Sequence, residues 1–144
     1  MTALPERLIQ ASAVAIDGRA LLIEGAPGSG KSSLALALID RGAQLIGDDG
    51  VRLQRSGEQV VASPPPNIAG KLEIRGVGII DLPVTSAPVA LILALGEEAP
   101  RFPEPVATQE LLGRAIPRLP FRAGDANQAI RAEWALRLHG LSLG

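Results

Sequence analysis

The amino-acid sequence predicts an α/β fold with a mixed β-sheet, and three observations carry that prediction. A buried strand, a glycine-rich loop and a helix follow one another between Ala20 and Asp40. The dipeptide Asp17-Gly18 is a strong two-residue hairpin signal, so the strand before it is expected to pair with Ala20–Glu24 in antiparallel fashion. A last helix is predicted from about Ala126 to Leu138. We therefore expect a mixed sheet with one helix after the loop and a second at the C-terminus.

The glycine-rich loop fits the phosphate-binding (P-loop) pattern G-x-x-x-x-G-K-[ST]. Such a loop turns backbone N–H groups towards the phosphates of a nucleotide, and the N-terminus of the next helix faces the same anion. In this pattern Lys31 reaches the β- and γ-phosphates and the Ser32 hydroxyl binds Mg²⁺. Lysine occurs at only one other position, Lys71, so a chance match is improbable. The predicted nucleotide-binding residues are Gly25, Ala26, Pro27, Gly28, Ser29, Gly30, Lys31, Ser32 and Ser33.

The composition is that of one domain with an aliphatic core. The chain has 144 residues, of which 47% are hydrophobic but only 2% aromatic. A chain of this length can bury a sizeable core, so residues 1–144 are expected to form a single P-loop kinase-sized domain. The net charge is −1 and the arginines are scattered, which argues against nucleic acid as the ligand. Because there is no cysteine and only one histidine, His139, a thiolate or histidine-rich metal site is excluded.

The sequence also predicts a cytoplasmic protein that does not enter the membrane. The first residues do not combine a charged start with a long apolar run, as a signal peptide would. No apolar stretch reaches the length of about 18 residues that indicates a transmembrane helix.

The N-terminal half alternates strands with recognisable turns. A strand is predicted from Leu8 to Ile16, before the hairpin turn, and the helix after the loop is expected over Ser33–Asp40 with Gly42 as its stop. The next predicted strand, Ala43–Gly47, ends directly before Asp48 and Asp49. After it we expect a hairpin formed by Val51–Arg55 and Glu58–Ala62.

The C-terminal half is broken by prolines, which cannot donate to a sheet. Its one long apolar run, Val89–Leu95, is predicted to be a buried strand. Asp125 is expected to cap the last helix, which Gly140 would end. The other predicted segments are a loop at Ser63–Pro66, a strand at Lys71–Arg75, a segment at Gly76–Asp81, a polar loop or lid at Gly96–Pro105 and a loop at Leu119–Gly124.

Asp48 and Asp49 are candidate catalytic residues because adjacent carboxylates beside a metal-bound triphosphate can divide the work. One would lie near Mg²⁺, and the other would take a proton from an attacking hydroxyl. A simple Asp-Asp-Gly turn between two strands is an equally consistent interpretation of these residues.

Glu73, Arg75 and Arg101 are further candidates, each with a plain structural alternative. Residues two apart on a strand point to the same face, so Glu73 and Arg75 could act together or form only an ion pair. Arg101, in the polar loop, is a surface arginine by default.

Taken together, these stretches resemble the catalytic domain of HPr kinase/phosphorylase, in the short form that lacks the N-terminal domain of the longer enzymes. The resemblance runs from about Leu8 to Leu138, with a looser match at Pro120–Gly124. Its carriers are the phosphate-binding loop, the strand end Leu45-Ile46-Gly47-Asp48-Asp49 and the signature-like block Glu73-Ile74-Arg75-Gly76-Val77-Gly78-Ile79-Ile80.

The resemblance implies a P-loop kinase core similar to phosphoenolpyruvate carboxykinase, which uses ATP and Mg²⁺. It implies phosphate transfer to a serine of the phosphocarrier protein HPr or a relative, with possible reversal by inorganic phosphate. This activity belongs to phosphotransferase-system regulation, and the family assembles as a hexamer.

Roles carry over by position. Ser32, Asp48 and Glu73 would hold Mg²⁺, and Asp49 would be the base towards the substrate serine. Arg101 would be a loop arginine at the transferring phosphoryl group. The residues of the block after Glu73 (Ile74, Arg75, Gly76, Val77 and Gly78), together with Arg122, would shape the site for the reverse reaction.

Two positions depart from the family pattern. Gln10 stands where the family usually has a histidine next to the catalytic aspartate, and Ser33 stands where many members have an acidic residue. Lys31 and both aspartates remain, so nucleotide binding is expected to be intact and the reverse reaction to be weakened.

Two other functions stay open at this stage. A small-molecule kinase would use Asp81, at the end of an apolar strand, as its magnesium ligand. A degenerate, non-catalytic nucleotide-binding regulator would account for Gln10. A GTPase is disfavoured because no Asn-Lys-x-Asp guanine-reading motif is present.

Overall fold

The strands and helices of the computed structural model follow the predicted order over most of the chain. The structure describes residues 6–103 and 105–142, so the predicted domain limits, the chain start and Glu104 of the predicted lid lie outside the described residues. The elements are β1 Glu6–Ile9, β2 Ser12–Ile16, β3 Arg19–Glu24, α1 Lys31–Asp40, β4 Gln44–Gly47, β5 Val51–Ser56, β6 Gln59–Ser63, β7 Lys71–Ile74, β8 Gly78–Asp81, β9 Ala87–Leu95, β10 Ala107–Leu111, β11 Arg114–Phe121 and α2 Gln128–His139.

Nine of the described strands form one mixed sheet, which confirms the predicted α/β class. The strand order is β1-β5-β6-β9-β3-β2-β4, with β11 also beside β9 and β10 beside β11. β9 runs parallel to β3 on one side, and on the other it meets antiparallel β6 first and parallel β11 afterwards. β7 and β8 form a separate two-stranded antiparallel hairpin.

The central strand β3 is buried on both faces because each face carries its own apolar cluster. Leu21 and Ile23 pack in the cluster that includes both helices, and Leu22 packs on the opposite face with side chains of β5 and β6. Each such side chain contributes about 1.5–3 kcal/mol when fully buried. Neither α1 nor α2, the helices of the described residues, has the length and apolar character needed to cross a bilayer.

The sheet brings four chain segments to one edge. Parallel β3, β9 and β11 end at the same edge, and β4 runs in the same direction because β2 is antiparallel to both β3 and β4. The carboxyl edge of parallel strands is where α/β proteins bind ligands. The segments that follow these four strands begin at Gly25, Gly96, Arg122 and Asp48.

The hairpin turn at Asp17-Gly18 is confirmed, but the strand before it is not continuous. Both turn residues have positive φ, 51° and 78°, as a two-residue hairpin requires. The predicted strand Leu8–Ile16 is interrupted at Gln10, because β1 pairs with β5 whereas β2 pairs with β3 and β4. The chain changes neighbours there, which alternation in the sequence cannot reveal.

The prediction of a loop over Leu119–Gly124 is wrong for its first three residues, and the hairpin of β10 and β11 was not predicted. β11 contains Pro117 and Pro120, and prolines argue against a strand when the sequence alone is considered. Pro117 lies opposite Thr108 of β10, before the pairing with β9 begins, and Pro120 pairs with β9 after the pairing with β10 has ended. Each proline therefore has only one neighbouring strand, which an edge position tolerates.

The predicted start of the last helix is also wrong, by two residues. The helix begins at Gln128, and its N-cap residue Asn127 has no side-chain cap hydrogen bond. Asp125 instead accepts the backbone N–H of Asn127 on Oδ1, at 2.9 Å. This local turn satisfies an amide outside the helix, so Asp125 precedes the helix rather than capping it.

Candidate active site

The phosphate-binding loop joins β3 to α1 and is shaped by its glycines. Gly28 and Gly30 have φ values of 82° and 106°, in the left-handed region that favours glycine. A Cβ at Gly25 would overlap the Ser29 hydroxyl and lie 3.1 Å from Cβ of Leu95. The loop therefore packs directly against the end of β9, at the edge of the sheet.

Two polar groups of the loop are buried, and they differ in their hydrogen-bond partners. Lys31 is only 9% exposed, and its ammonium donates to the carbonyl oxygens of Gly25 at 2.7 Å and Ala26 at 3.2 Å. The Ser29 hydroxyl is buried without a hydrogen-bond partner among the described residues. A buried polar group without a partner is costly, and an anion oxygen would accept its hydrogen bond. The loop thus fits a nucleotide phosphate.

The Asp48 carboxylate joins three elements of the structure. Its Oδ1 accepts the Ser32 hydroxyl at 2.6 Å and the Ser12 hydroxyl at 2.9 Å. The first distance is that of a charge-assisted O–H···O⁻ bond. Asp48 follows β4, Ser12 begins β2 and Ser32 lies in the first turn of α1. The structure thus brings the predicted magnesium ligands Ser32 and Asp48 together.

Asp49 occupies a tight turn and is exposed to solvent. A Cβ at Gly47 would overlap the carbonyl oxygen of Gly50, so only glycine permits this turn. Asp49 has a positive φ of 58°, which aspartate tolerates better than most residues do. The residue is exposed, and its backbone N–H donates to the Ser12 hydroxyl at 3.4 Å. The two carboxylates therefore differ: Asp48 is held by hydrogen bonds from Ser12 and Ser32, whereas Asp49 is exposed to solvent.

Gln10 lies in the bend between β1 and β2 and is exposed. Ile9 pairs with Val51, so the antiparallel register leads the following residue, Gln10, towards Gly50 and Asp49. No hydrogen bond joins Gln10 to Asp49 in the described part of the chain. The predicted neighbourhood of these two residues is consistent with the register, and its chemical role stays a prediction.

The loop after β11 lies beside the phosphate-binding loop. A Cβ at Gly30 would be 3.5 Å from Cβ of Ala123, so Arg122 stands near the start of α1. The carbonyl oxygen of Arg122 accepts Nη1 of Arg131 at 2.8 Å, and that guanidinium also binds Asp125. The backbone of the loop is therefore held, while the Arg122 side chain is exposed.

Arg101, the predicted loop arginine, is exposed and stands 5.5 Å from the ring centre of Phe102. The start of its loop is fixed by an ion pair in which Nη1 of Arg118 lies 2.9 Å from Oε1 of Glu97. Hydrogen bonding by Arg118 lowers the pKa of the Glu97 carboxyl, and the same bond raises the pKa of Arg118. The pair anchors the start of the loop, and the role of Arg101 at the phosphoryl group stays a prediction.

The signature-like block forms the β7–β8 hairpin, and Glu73 lies on its exposed face. Leu72 is fully buried, and neighbouring side chains of a strand point to opposite faces. Glu73 pairs with Ile79 across the hairpin, and the ion pair of Lys71 with Asp81 occupies the same face. Residues Arg75, Gly76, Val77 and Gly78 form or flank the exposed turn, after Ile74 at the end of β7.

The hairpin geometry bears on both magnesium assignments. The Ser32 hydroxyl donates to Asp48, and the predicted role of Glu73 as a magnesium ligand stays a prediction. The Asp81 carboxylate is engaged by Lys71, which leaves the alternative assignment to Asp81 without structural support.

The donors at the sheet edge suit Mg²⁺ bound together with a nucleotide. Within residues 6–103 and 105–142, no three acidic, histidine or cysteine side chains cluster as a metal site. Magnesium is usually held by one or two carboxylates plus substrate phosphates and water. The Ser32 hydroxyl and the Asp48 carboxylate are such oxygen donors, so the residues present fit the ion.

Sequence reasoning missed Ser12 in this site. Its signal was present: a serine begins the strand Ser12–Ile16, whose other residues are apolar. A buried hydroxyl in such a strand needs a partner. The partner could not be named because it is distant in sequence.

Comparison with known proteins identifies relatives of this chain. The family model described as the HPr Serine kinase C-terminal domain matches residues 3–86, which is more than half of the chain. A solved structure titled "Structure of the Hpr(Ser) kinase/phosphatase from Coxiella burnetii" superposes with a TM-score of 0.80 and 33% identity. That match covers 92% of this chain and 90% of the other.

The curated relatives match a shorter stretch. An HPr kinase/phosphorylase of Clostridium botulinum (strain Eklund 17B / Type B) is 44% identical over 78 residues, which are 54% of this chain and 26% of the relative. An HPr kinase/phosphorylase of Lacticaseibacillus casei (strain BL23) is 49% identical over 70 residues, 48% of this chain and 22% of the relative. The chain thus matches about a quarter of the length of these curated relatives.

Proposed function

This chain belongs to the HPr serine kinase C-terminal domain family, and from that premise we propose that it is an ATP-dependent kinase for a serine of an HPr-type phosphocarrier protein. The observation that supports the proposal is that three features of the site lie close together. The phosphate-binding loop, the hydrogen bond between Ser32 and Asp48, and the open carboxylate of Asp49 meet at one edge of the sheet. A role in phosphotransferase-system regulation and a reverse reaction with inorganic phosphate belong to the same proposal.

In this function the loop binds the phosphates of ATP. The Ser29 hydroxyl and the backbone N–H groups are its neutral donors, and the Lys31 ammonium adds charge. A phosphate would compete for Lys31 with the carbonyl oxygens of Gly25 and Ala26. Ser32 and Asp48 hold Mg²⁺, which when bound with ATP supplies charge neutralisation for transfer of the γ-phosphoryl group.

Asp49 acts as the base. It accepts the proton of the substrate serine hydroxyl while the serine oxygen forms its bond to phosphorus and the bond to the ADP leaving oxygen breaks. The exposure of Asp49 supports this role, since a protein substrate has to reach it. Asp48 is unsuited to it, because two hydroxyl donors already occupy its Oδ1.

The remaining roles rest on the family pattern. We assign Arg101 to the transferring phosphoryl group, Glu73 to Mg²⁺, and Arg122 with the turn after Glu73 to the reverse reaction. Arg101 and Glu73 are both exposed, so both side chains are accessible to a bound substrate.

The proposal includes a cytoplasmic location, since ATP is the donor, and a homo-oligomer, taken as a hexamer from the family. Residues 1–144 are treated in it as one kinase domain. Light scattering at several concentrations measures the assembly, and a monomer at every concentration contradicts this part alone.

The test is a transfer assay. The protein is incubated with γ-labelled ATP, Mg²⁺ and an HPr-type protein, and the label is located by mass spectrometry. We expect a phosphoserine on the HPr-type protein, formed at least about 10²-fold more slowly when the kinase carries Asp49→Asn. Transfer to no HPr-type protein, despite tight Mg²⁺-ATP binding, contradicts the kinase proposal and favours the non-catalytic regulator, for which Gln10 is the specific observation.

A further inference from the structure

The Ser12 hydroxyl is a fully buried polar group with two partners in the turn after β4. It donates to Oδ1 of Asp48 at 2.9 Å and accepts the backbone N–H of Asp49 at 3.4 Å. It therefore contacts both residues of the acidic pair through one oxygen. Apart from Ser12 the strand is apolar, so the hydroxyl is not explained by the packing of β2.

Ser12 also connects this turn to the strand that enters the phosphate-binding loop. Its neighbour across the β2–β3 ladder is Ile23, directly before Glu24 at the end of β3. The second hydroxyl on Asp48 comes from Ser32, whose oxygen is the predicted magnesium ligand. Of the two donors, Ser12 is the one that belongs to the sheet and has no role in binding the ion.

We propose that Ser12 is a positioning residue, which fixes the Asp48 carboxylate for Mg²⁺ and the Asp49 backbone for proton transfer. The proposal rests on the proposed kinase function and deepens it. Without the hydroxyl, Asp48 keeps only the bond to Ser32, and the Asp49 amide loses its acceptor. Residues that orient a metal ligand through hydrogen bonds typically change metal affinity by about 10- to 100-fold when they are removed.

The experiment compares four variants by binding rather than by turnover. Affinity for a non-hydrolysable ATP analogue is measured by calorimetry with and without Mg²⁺. In Ser12→Ala we expect the Mg²⁺ concentration for half-saturation to rise by about 10-fold or more, with affinity in EDTA unchanged. Ser12→Cys, which keeps the size but donates weakly, should behave like Ser12→Ala. Ser12→Thr, which keeps the hydroxyl, should restore most of the loss.

Val14→Ala is the matched control. Val14 is fully buried in the same strand but belongs to the cluster beside the helices. Its truncation should lower Tm at least as much as Ser12→Ala does, without changing the Mg²⁺ half-saturation point. A second readout needs neither nucleotide nor metal: amide hydrogen exchange at Asp49 should accelerate in Ser12→Ala and stay at its wild-type rate in Val14→Ala.

The two proposals fail in distinguishable ways. If Ser12→Ala loses stability but keeps both the wild-type Mg²⁺ half-saturation point and Asp49 amide protection, Ser12 is merely structural and the inference is wrong. If wild-type protein binds Mg²⁺ and nucleotide but phosphorylates no HPr-type protein, the kinase proposal fails while the binding and exchange readouts still decide the role of Ser12. Should Ser12→Thr not fold, agreement between the Ala and Cys variants decides it.

Discussion

The phosphate-loop edge and the β7–β8 hairpin carry the two sets of residues assigned to one site, yet they are built differently. At the edge, Lys31 is buried and Asp48 is held by hydroxyls from two elements. In the hairpin, only Leu72 is fully buried, and Val77 and Ile79 are 76% and 68% exposed. The phosphate-loop edge is therefore held by hydrogen bonds between its own residues, whereas the hairpin exposes most of its side chains to solvent.

This difference shows which parts of the site are preorganised. A two-stranded hairpin with four-residue strands is marginal by itself and depends on what it packs against. Its position therefore depends on the packing of Leu72, which is fully buried. The turn after β4, by contrast, is fixed by Gly47 and by Ser12, so moving Asp48 breaks hydrogen bonds to a carboxylate. We expect variants at the edge to have larger effects than variants in the hairpin.

The largest effect is expected for Asp49→Asn. Loss of a general base typically costs about 10²- to 10⁴-fold in rate, so phosphorylation of an HPr-type protein should fall by that factor. Asparagine also tolerates positive φ, so the backbone at 58° should be kept and Tm should change little. The measurement is the initial rate of phosphoserine formation. A folded Asp49→Asn protein with wild-type rate would remove Asp49 from the mechanism.

Next comes Lys31→Ala, for which the chain contains its own control. Hydrogen bonds to charged groups contribute about 1.5–3 kcal/mol, so affinity for ATP should fall roughly 10- to 100-fold. Lys71, the other lysine, pairs with Asp81 on the exposed hairpin face, so Lys71→Ala should leave affinity unchanged. Calorimetry of Mg²⁺-ATP binding compares them. Equal losses in both variants would contradict the placement of the nucleotide at the loop.

These two regions also differ in how far the sequence could predict them. The loop, α1 and the Asp17-Gly18 turn are set by local chemistry, since glycines, a strand and a helix lie within one short stretch. The pairing of Ser12 with Asp48 depends on a strand order that brings β2 beside β4. Glu73 was correctly placed on a strand, but the face that it occupies depends on Leu72 packing inwards.

The C-terminal hairpin shows the same limit for the fold. Prolines disfavour strand structure, and only the tertiary pairing shows that Pro117 and Pro120 in β11 each have one neighbouring strand. The alternation of residues 8–16 predicts β structure, which the structure confirms, but the change of partner at Gln10 is a property of the sheet. Local signals thus predicted most of the elements, whereas β10, β11 and the break between β1 and β2 depend on non-local pairing.

A smaller effect is expected for Glu73→Gln in the hairpin. A neutral amide is a poor magnesium ligand, so the Mg²⁺ half-saturation point of turnover should rise by a factor below that of Ser12→Ala, about 3- to 10-fold, with ATP affinity less affected. Asp81→Asn is the matched control from the same exposed face and should leave this point unchanged. If Asp81→Asn has the larger effect, the magnesium ligand assignment passes from Glu73 to Asp81.

Gln10→His should change rates by a few fold only, and unequally. Phosphorylation needs only Asp49 as its base, so a neighbouring histidine adds little in that direction. The reverse reaction needs a proton delivered to the departing serine oxygen, and a histidine with a pKa near 6.5 can pass one through Asp49, whereas glutamine cannot. Phosphorolysis should gain by the larger factor, and this gain should shrink as the pH rises above about 7. Equal gains in both directions would contradict the proton relay.

A small effect on stability is expected for Glu97→Gln, beside the site. Arg118 lowers the pKa of Glu97, so the ion pair stabilises the fold at pH values above the ordinary 4.5 and loses that contribution as the pH falls through the lowered value. Because the Glu97 side chain is 46% exposed, the fall in Tm at pH 7 should be only about 1–2 °C. The pair of Lys71 and Asp81 is more exposed, at 54% and 75%, so Asp81→Asn should lower Tm less.

Thermal melts of both variants at pH 7 and near pH 3 test this order. A larger loss in the hairpin variant, or a Glu97→Gln difference that grows towards low pH, contradicts the expectation, because acid should abolish what Arg118 stabilises.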